Sequence, residues 1–136
     1  MTDSQPRIGV TMGDPAGIGP EVIVKAYRQL RDAGRPIVIG DGDVLVAATE
    51  VCKSDLGVEQ VESVDDAQFD SGAIPVLDLD NVGTLARGEV REEYGAASLE
   101  YIERAIELAQ AGEIDGITTA PINKQATKLA GSTYAG

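Results

Sequence analysis

Apolar positions in this chain fall into short runs that alternate with stretches of helical period. Arg7–Met12 reads as a buried strand, and the glycine-rich Gly13–Gly19 behind it as a loop. Pro20 suits the first position of a helix. That helix is predicted to run to Ala33, with Ile23, Tyr27 and Leu30 on one stripe and Gly34 as its stop. Pro36–Gly40 is a short strand, and a helix follows over Asp43–Ser54. Val58–Val64 alternates and Ala73–Leu79 is continuously apolar, so both read as strands. Asn81–Glu93 is loop-like. Tyr94–Ala111 is the clearest helix, with Leu99, Ile102, Ile106 and Ala109 on its expected core face and Glu100 and Arg104 paired along its surface. Gly116–Thr119 is the last strand, and Pro121 restarts a helix through Ala130. Repeated strand–helix units with aliphatic strands predict an α/β fold with a mostly parallel sheet. No internal repeat or linker interrupts it, so residues 1–136 read as one domain segment.

Composition narrows the function. Hydrophobic residues make up 43% of the 136 residues but aromatics only 4%, so the core must be aliphatic. Asp and Glu number 23 against 11 Lys and Arg, a net charge of −12. No basic surface exists to neutralise phosphodiesters, which excludes nucleic acid as the expected partner. The longest apolar run, Val44–Ala48, is far too short to span a bilayer. Met1–Arg7 lacks the basic start and apolar stretch of a signal peptide, and Cys52 stands alone. Both features fit a cytoplasmic protein. The chain has no histidine, which removes Ser-His triads, His–metal sites and imidazole acid–base chemistry from it.

The charge is uneven. Residues 1–40 carry +1, residues 41–115 carry −15, and residues 116–136 carry Lys124 and Lys128 with no acid. An acidic middle of that density repels itself unless salt screens it, so a salt-adapted protein is expected.

Two strand-to-helix junctions could carry chemistry, because ligands of such sheets sit at the carboxyl ends of strands. The first is Gly13-Asp14-Pro15-Ala16-Gly17-Ile18-Gly19-Pro20-Glu21. Its glycines let backbone N–H groups approach an anion beside the start of a helix. Asp14 could instead pair with a cation or hold the loop through side-chain–backbone bonds, in which case the segment is a plain turn and cap. A dinucleotide fingerprint fails here: Gly17-Ile18-Gly19 is followed by Pro20, Glu21 and Val22, although Asp41 sits where a ribose-binding acid would. No Gly-Lys-Ser/Thr ends the motif, so it is not a P-loop either. The second junction is Thr118-Thr119-Ala120-Pro121-Ile122-Asn123-Lys124. Its hydroxyls, amide and single cation, placed in the first turn of a helix, suit a phosphate or carboxylate. The alternative is a lysine that points into solvent. Cys52 reads as packing, Glu92 and Glu93 as acids at a helix start, and Arg87 and Arg91 as solvated, with a phosphate or partner contact as the alternative.

Together, Val10–Glu21 and Thr119–Lys124 resemble the 4-hydroxythreonine-4-phosphate dehydrogenase family, including its relatives acting on D-threonate or D-erythronate 4-phosphate. Gly83-Thr84-Leu85-Ala86-Arg87-Gly88 and the helix from Tyr94 match that family's order and spacing. The resemblance implies a three-layer α/β/α fold like that of isocitrate and isopropylmalate dehydrogenases. It also implies a homodimeric, NAD-dependent enzyme of pyridoxal phosphate biosynthesis that oxidises 4-phosphooxy-L-threonine with decarboxylation. A divalent metal (zinc, magnesium or cobalt) would be held by histidines from both subunits. The Gly13, Asp14, Gly17, Gly19 and Glu21 loop and the Thr119, Asn123 and Lys124 turn are expected to border the active-site cleft. A His-Thr pair follows a Tyr-x-Gly segment in the family, and this chain ends on Tyr134-Ala135-Gly136. On that reading the chain is the N-terminal part of such a dehydrogenase, with its metal ligands and most of its cofactor site beyond Gly136. Alone it is expected to be inactive, to serve as a phosphate-ligand-binding module, or to be a structural remnant.

Overall fold

A computed structural model describes residues 5–69, 72–83 and 85–131. Tyr134–Gly136 and Thr84 of the family motif lie outside them. Strand β1 (Arg7–Thr11) leads through the glycine loop into α1 (Gly19–Ala33), then β2 (Arg35–Gly40) and α2 (Gly42–Val51). β3 (Gly57–Val61), a 3-10 turn at Val64–Asp66 and β4 (Ala73–Asp78) follow. α3 (Glu92–Gln110), β5 (Gly116–Thr119) and α4 (Lys124–Leu129) complete the described fold.

The five strands form one sheet in the order β3-β4-β2-β1-β5, and all four pairings are parallel. The connection from β1 through α1 to β2 crosses the sheet one way; that from β4 through α3 to β5 crosses it the other way. Right-handed crossovers then place the two helices on opposite faces. α1 packs with α2 on one side and α3 with α4 on the other, giving the expected three layers. The core is aliphatic, built on Val10, Ile37, Val38, Ile39, Leu45, Ile74 and Val76, and Tyr27, Tyr94 and Tyr101 are its largest buried side chains.

Several details differ from the sequence reading. Of the stripe Leu99, Ile102, Ile106 and Ala109, only Ala109 packs against the core, and Ile106 is 44% exposed. Tyr94, Ala97, Ser98, Tyr101, Ala105 and Leu108 are buried instead. Small residues between two tyrosines let α3 lie close to the sheet and to α4. A side chain at Gly95 would collide with the Ala126 carbonyl oxygen. Glu100 does not pair with Arg104. It accepts from Asn81 Nδ2 at 2.9 Å, while Arg104 reaches Glu107 at 3.2 Å. α3 also begins at Glu92, so the loop is shorter than Asn81–Glu93. The strand expected over Val58–Val64 stops at Val61, where the chain turns into the 3-10 segment. α2 ends at Val51, three residues before Ser54, because Lys53 takes a left-handed conformation (φ 51°). α4 starts at Lys124, not at Pro121, because Asn123 caps it.

Candidate active-site crevice

β1 and β5 are neighbours whose following helices lie on opposite faces, which opens a crevice at their carboxyl ends. Both candidate junctions flank it. Thr11 and Thr119 stand opposite each other in register. Beyond them the Asp14 N–H donates to the Pro121 carbonyl at 3.1 Å, fastening the glycine loop to the Thr119–Lys124 turn.

Gly13 makes that contact possible. Its φ is +74°, and a side chain there would collide with the Pro121 carbonyl oxygen. Gly19 is equally constrained, since a Cβ would collide with the Met12 carbonyl. Gly17 is not: its nearest neighbour would be Asp14 Cβ at 3.4 Å. Asp14 is 4% exposed, and its carboxylate accepts from the Ala16 N–H at 2.8 Å. The Gly17 N–H is spent on the Asp14 carbonyl at 3.1 Å. Of the two readings of this loop, the structure supports Asp14 as its brace. Burial pushes the Asp14 carboxyl above its ordinary range, against the lowering effect of the Ala16 and Gly17 N–H groups.

Glu21, in the first turn of α1, holds Arg87 at 3.0 Å. Arg87 is therefore not simply solvated. The Gly88 N–H donates to the Ala16 carbonyl at 2.8 Å, and the Ala86 N–H to Tyr94 Oη at 2.6 Å. These bonds lay the segment before α3 across the glycine loop. Arg91 too is engaged, pairing with Glu89 at 2.9 Å and Glu93 at 3.2 Å and lying over the Tyr94 ring. Glu92 and Glu93 open α3 as expected.

In the second junction, Asn123 Oδ1 accepts from the Ala126 N–H at 2.9 Å, so that oxygen is committed to capping α4. Lys124 is exposed, and among the described residues no carboxylate forms an ion pair with it. Thr119 is also exposed. Asp41, the acid that suggested a ribose site, is 2% exposed and caps α2 through Val44 N at 3.1 Å. Its other oxygen accepts from Val82 N at 3.3 Å. Burial raises its pKa too. The Cys52 thiol is half-buried at the end of α2, 4.0 Å from the Glu21 carbonyl, as a packing residue would be.

No group of three His, Cys, Asp or Glu side chains among the described residues could hold a metal ion. With no histidine in the chain, the residues present do not fit the divalent metal that the resemblance implies. Arg87, Gly88 and Tyr94 escaped the sequence reading as site residues. Their motif was visible, but contacts across 66 positions, such as Glu21 to Arg87, leave no local periodicity.

Residues 32–136 match the family of pyridoxal phosphate biosynthetic protein PdxA. The chain belongs to the PdxA family. A Halalkalibacterium halodurans relative named "Putative D-threonate 4-phosphate dehydrogenase" is 42% identical over 138 residues, covering 98% of this chain and 41% of the relative. A solved 4-hydroxythreonine-4-phosphate dehydrogenase from Burkholderia phymatum superposes with a TM-score of 0.91 at 40% identity, over 97% of this chain and 41% of that one. The Klebsiella pneumoniae enzyme of the same name gives 0.85 at 36%, over 98% and 41%. This PdxA chain thus spans about 41% of the length of these relatives. They are named as dehydrogenases, and their fold is the layered α/β fold found here. No described helix is long and apolar enough to cross a membrane.

Proposed function

We propose that this PdxA chain forms one wall of the substrate crevice of a dehydrogenase acting on a phosphorylated four-carbon hydroxy acid. 4-Phosphooxy-L-threonine and D-threonate 4-phosphate are both supported, since each appears in the names of relatives of similar identity. One observation carries the reading: the glycine loop and the Thr119–Lys124 turn are hydrogen-bonded together at the β1/β5 reversal. There Lys124, which has no ion-pair partner among the described residues, offers its cation to the substrate's phosphate, as a point charge with mobile reach. Thr119 lies at the same strand end, and Asn123 holds the turn rather than the ligand. Gly13, Asp14, Gly17, Gly19 and Glu21 shape the opposite lip. Asp14 fixes the loop, and Glu21 anchors Arg87.

The full-length dehydrogenase is proposed to use NAD as hydride acceptor and a divalent metal (zinc, magnesium or cobalt), to work as a homodimer, and to reside in the cytoplasm. The metal does not fit this chain's residues. Within residues 1–136 the proposed role is binding and orientation alone.

Calorimetric titration of the chain with D-threonate 4-phosphate, and with D-threonate, tests this. The phosphorylated ligand should bind and the free acid should not, with Lys124→Met weakening binding about tenfold, the scale of one charge-assisted contact. Equal affinity for both ligands, or no effect of Lys124→Met, would sink the assignment. Addition of NAD and zinc should produce no NADH, and turnover would show that the metal centre is misplaced.

A further inference from the structure

On the α1 and α2 side of the sheet lies an open cleft of about 290 Å³, where Val24, Lys25 and Arg28 of α1 face the Cys52–Asp55 turn that ends α2. None of these residues belongs to the glycine loop or to the Thr119–Lys124 turn. Lys25, Arg28 and Lys53 bring three cations to the cleft against a single carboxylate, Asp55. The chain has only four lysines beside 23 acids, and two of the four line this cleft. Arg28 Nη2 donates to Asp55 Oδ1 at 2.6 Å, which answers that acid. Lys25 and Lys53 have no ion-pair partner among the described residues.

Lys53 is held at a backbone cost. It follows the C-cap of α2 at φ 51°, the left-handed conformation that glycine usually supplies at a helix end. Capping does not explain a lysine there. The Cys52, Lys53 and Ser54 N–H groups already donate to the Ala48, Glu50 and Thr49 carbonyls at 3.0, 3.1 and 3.0 Å. The final carbonyls of α2 are thus answered by backbone, and the ammonium is left for something else. Strain of this kind gathers at ligand sites. Ser54 adds a donor: its Oγ accepts from the Leu56 N–H at 3.2 Å, which leaves its O–H to give.

Positive charge from two elements on one concave surface, in a molecule of net charge −12, suits an anion carrying several negative charges. Lysine meets phosphate as a point charge and arginine through its planar fork. Two linked phosphates can engage the α1 wall and the Lys53 wall together. We propose that the cleft between α1 and the end of α2 binds a diphosphate group through Lys25, Arg28 and Lys53, with Ser54 as a hydroxyl donor. This site shares no residue with the crevice and does not depend on Lys124.

Calorimetric titration of the Lys124→Met chain with pyrophosphate tests the site with the crevice cation removed. Pyrophosphate should bind saturably and about tenfold more tightly than orthophosphate, the scale of one further charge-assisted contact. Lys25→Gln and Lys53→Gly should each weaken it by about tenfold. Glycine suits φ 51°, so Lys53→Gly should lose affinity while keeping its Tm. Cys52 is the single cysteine and lines the cleft, so saturating pyrophosphate should slow its alkylation by iodoacetamide several-fold in the parent chain. ADP binding within about tenfold of pyrophosphate assigns the site to a nucleotide-borne diphosphate, and weaker ADP binding assigns it to the free anion. No saturable binding, an affinity indifferent to both substitutions, or an alkylation rate unmoved by pyrophosphate would overturn the proposal.

Discussion

Gly13 is where a single atom decides whether the crevice exists. An added methyl must both adopt φ +74° and displace the Pro121 carbonyl that anchors the loop. Gly13→Ala should therefore destabilise the chain by roughly 2–3 kcal/mol, whereas Gly17→Ala should cost less than about 1 kcal/mol, as read by urea denaturation. Equal losses would show that the loop contact is not what makes Gly13 special. Asp14 gives a pH signature. Its folded pKa lies above the unfolded one, so the native state holds the proton more tightly. Stability from this group is complete below the ordinary aspartate range and falls as pH rises through the raised folded value. Asp14→Asn keeps an oxygen for the Ala16 N–H without the charge. Its Tm should exceed that of the parent at pH 7, and the gap should close on acidification below the unfolded value. A gap that persists into acid would point to packing instead of charge.

At the scale of elements, α4 depends on its cap. Six residues make a marginal helix, and Asn123 supplies the Ala126 N–H with its acceptor. Asn123→Ala should cost about 1 kcal/mol in denaturant unfolding and Asn123→Asp much less. A large loss with Asp would assign Asn123 a role beyond capping. Elements were mostly legible in the sequence: β5 is found where Gly116–Thr119 placed it, and α1 differs only at its start. Period alone could not choose between the stripes of α3. Ile102 and Ile106 are as apolar as the winning set, and only the tyrosine volumes and the Gly95 contact with α4 decide. The two junctions were readable as motifs because each is local. The Asp41 cap is local too, its partner Val44 lying three residues on, and was missed because the helix was placed from Asp43. The Glu21–Arg87 bridge was not readable, because its two ends lie 66 positions apart and only the folded sheet brings them together.

At the scale of the whole molecule, charge and sheet order matter most. With −12 on 136 residues, and most of it between residues 41 and 115, self-repulsion should limit stability in dilute buffer. Tm should rise steadily from low to molar KCl as salt screens that repulsion. A flat profile would show that the acidic surface is already balanced in the fold.

The sheet order also sets a sequence of events in time. β1 is made before the other described strands of its sheet, yet one of its two edges waits for β5, more than a hundred positions later. The four strands β3-β4-β2-β1 can pair as soon as residue 78 has emerged, with one flank of β1 bare until Thr119 arrives. A ribosome-bound nascent chain should therefore pass through an aggregation-prone window of some forty residues. In pulse-labelled hydrogen exchange, β2 and β4 amides should be protected before those of β5. At typical elongation rates that window lasts a few seconds, time for a chaperone to be needed.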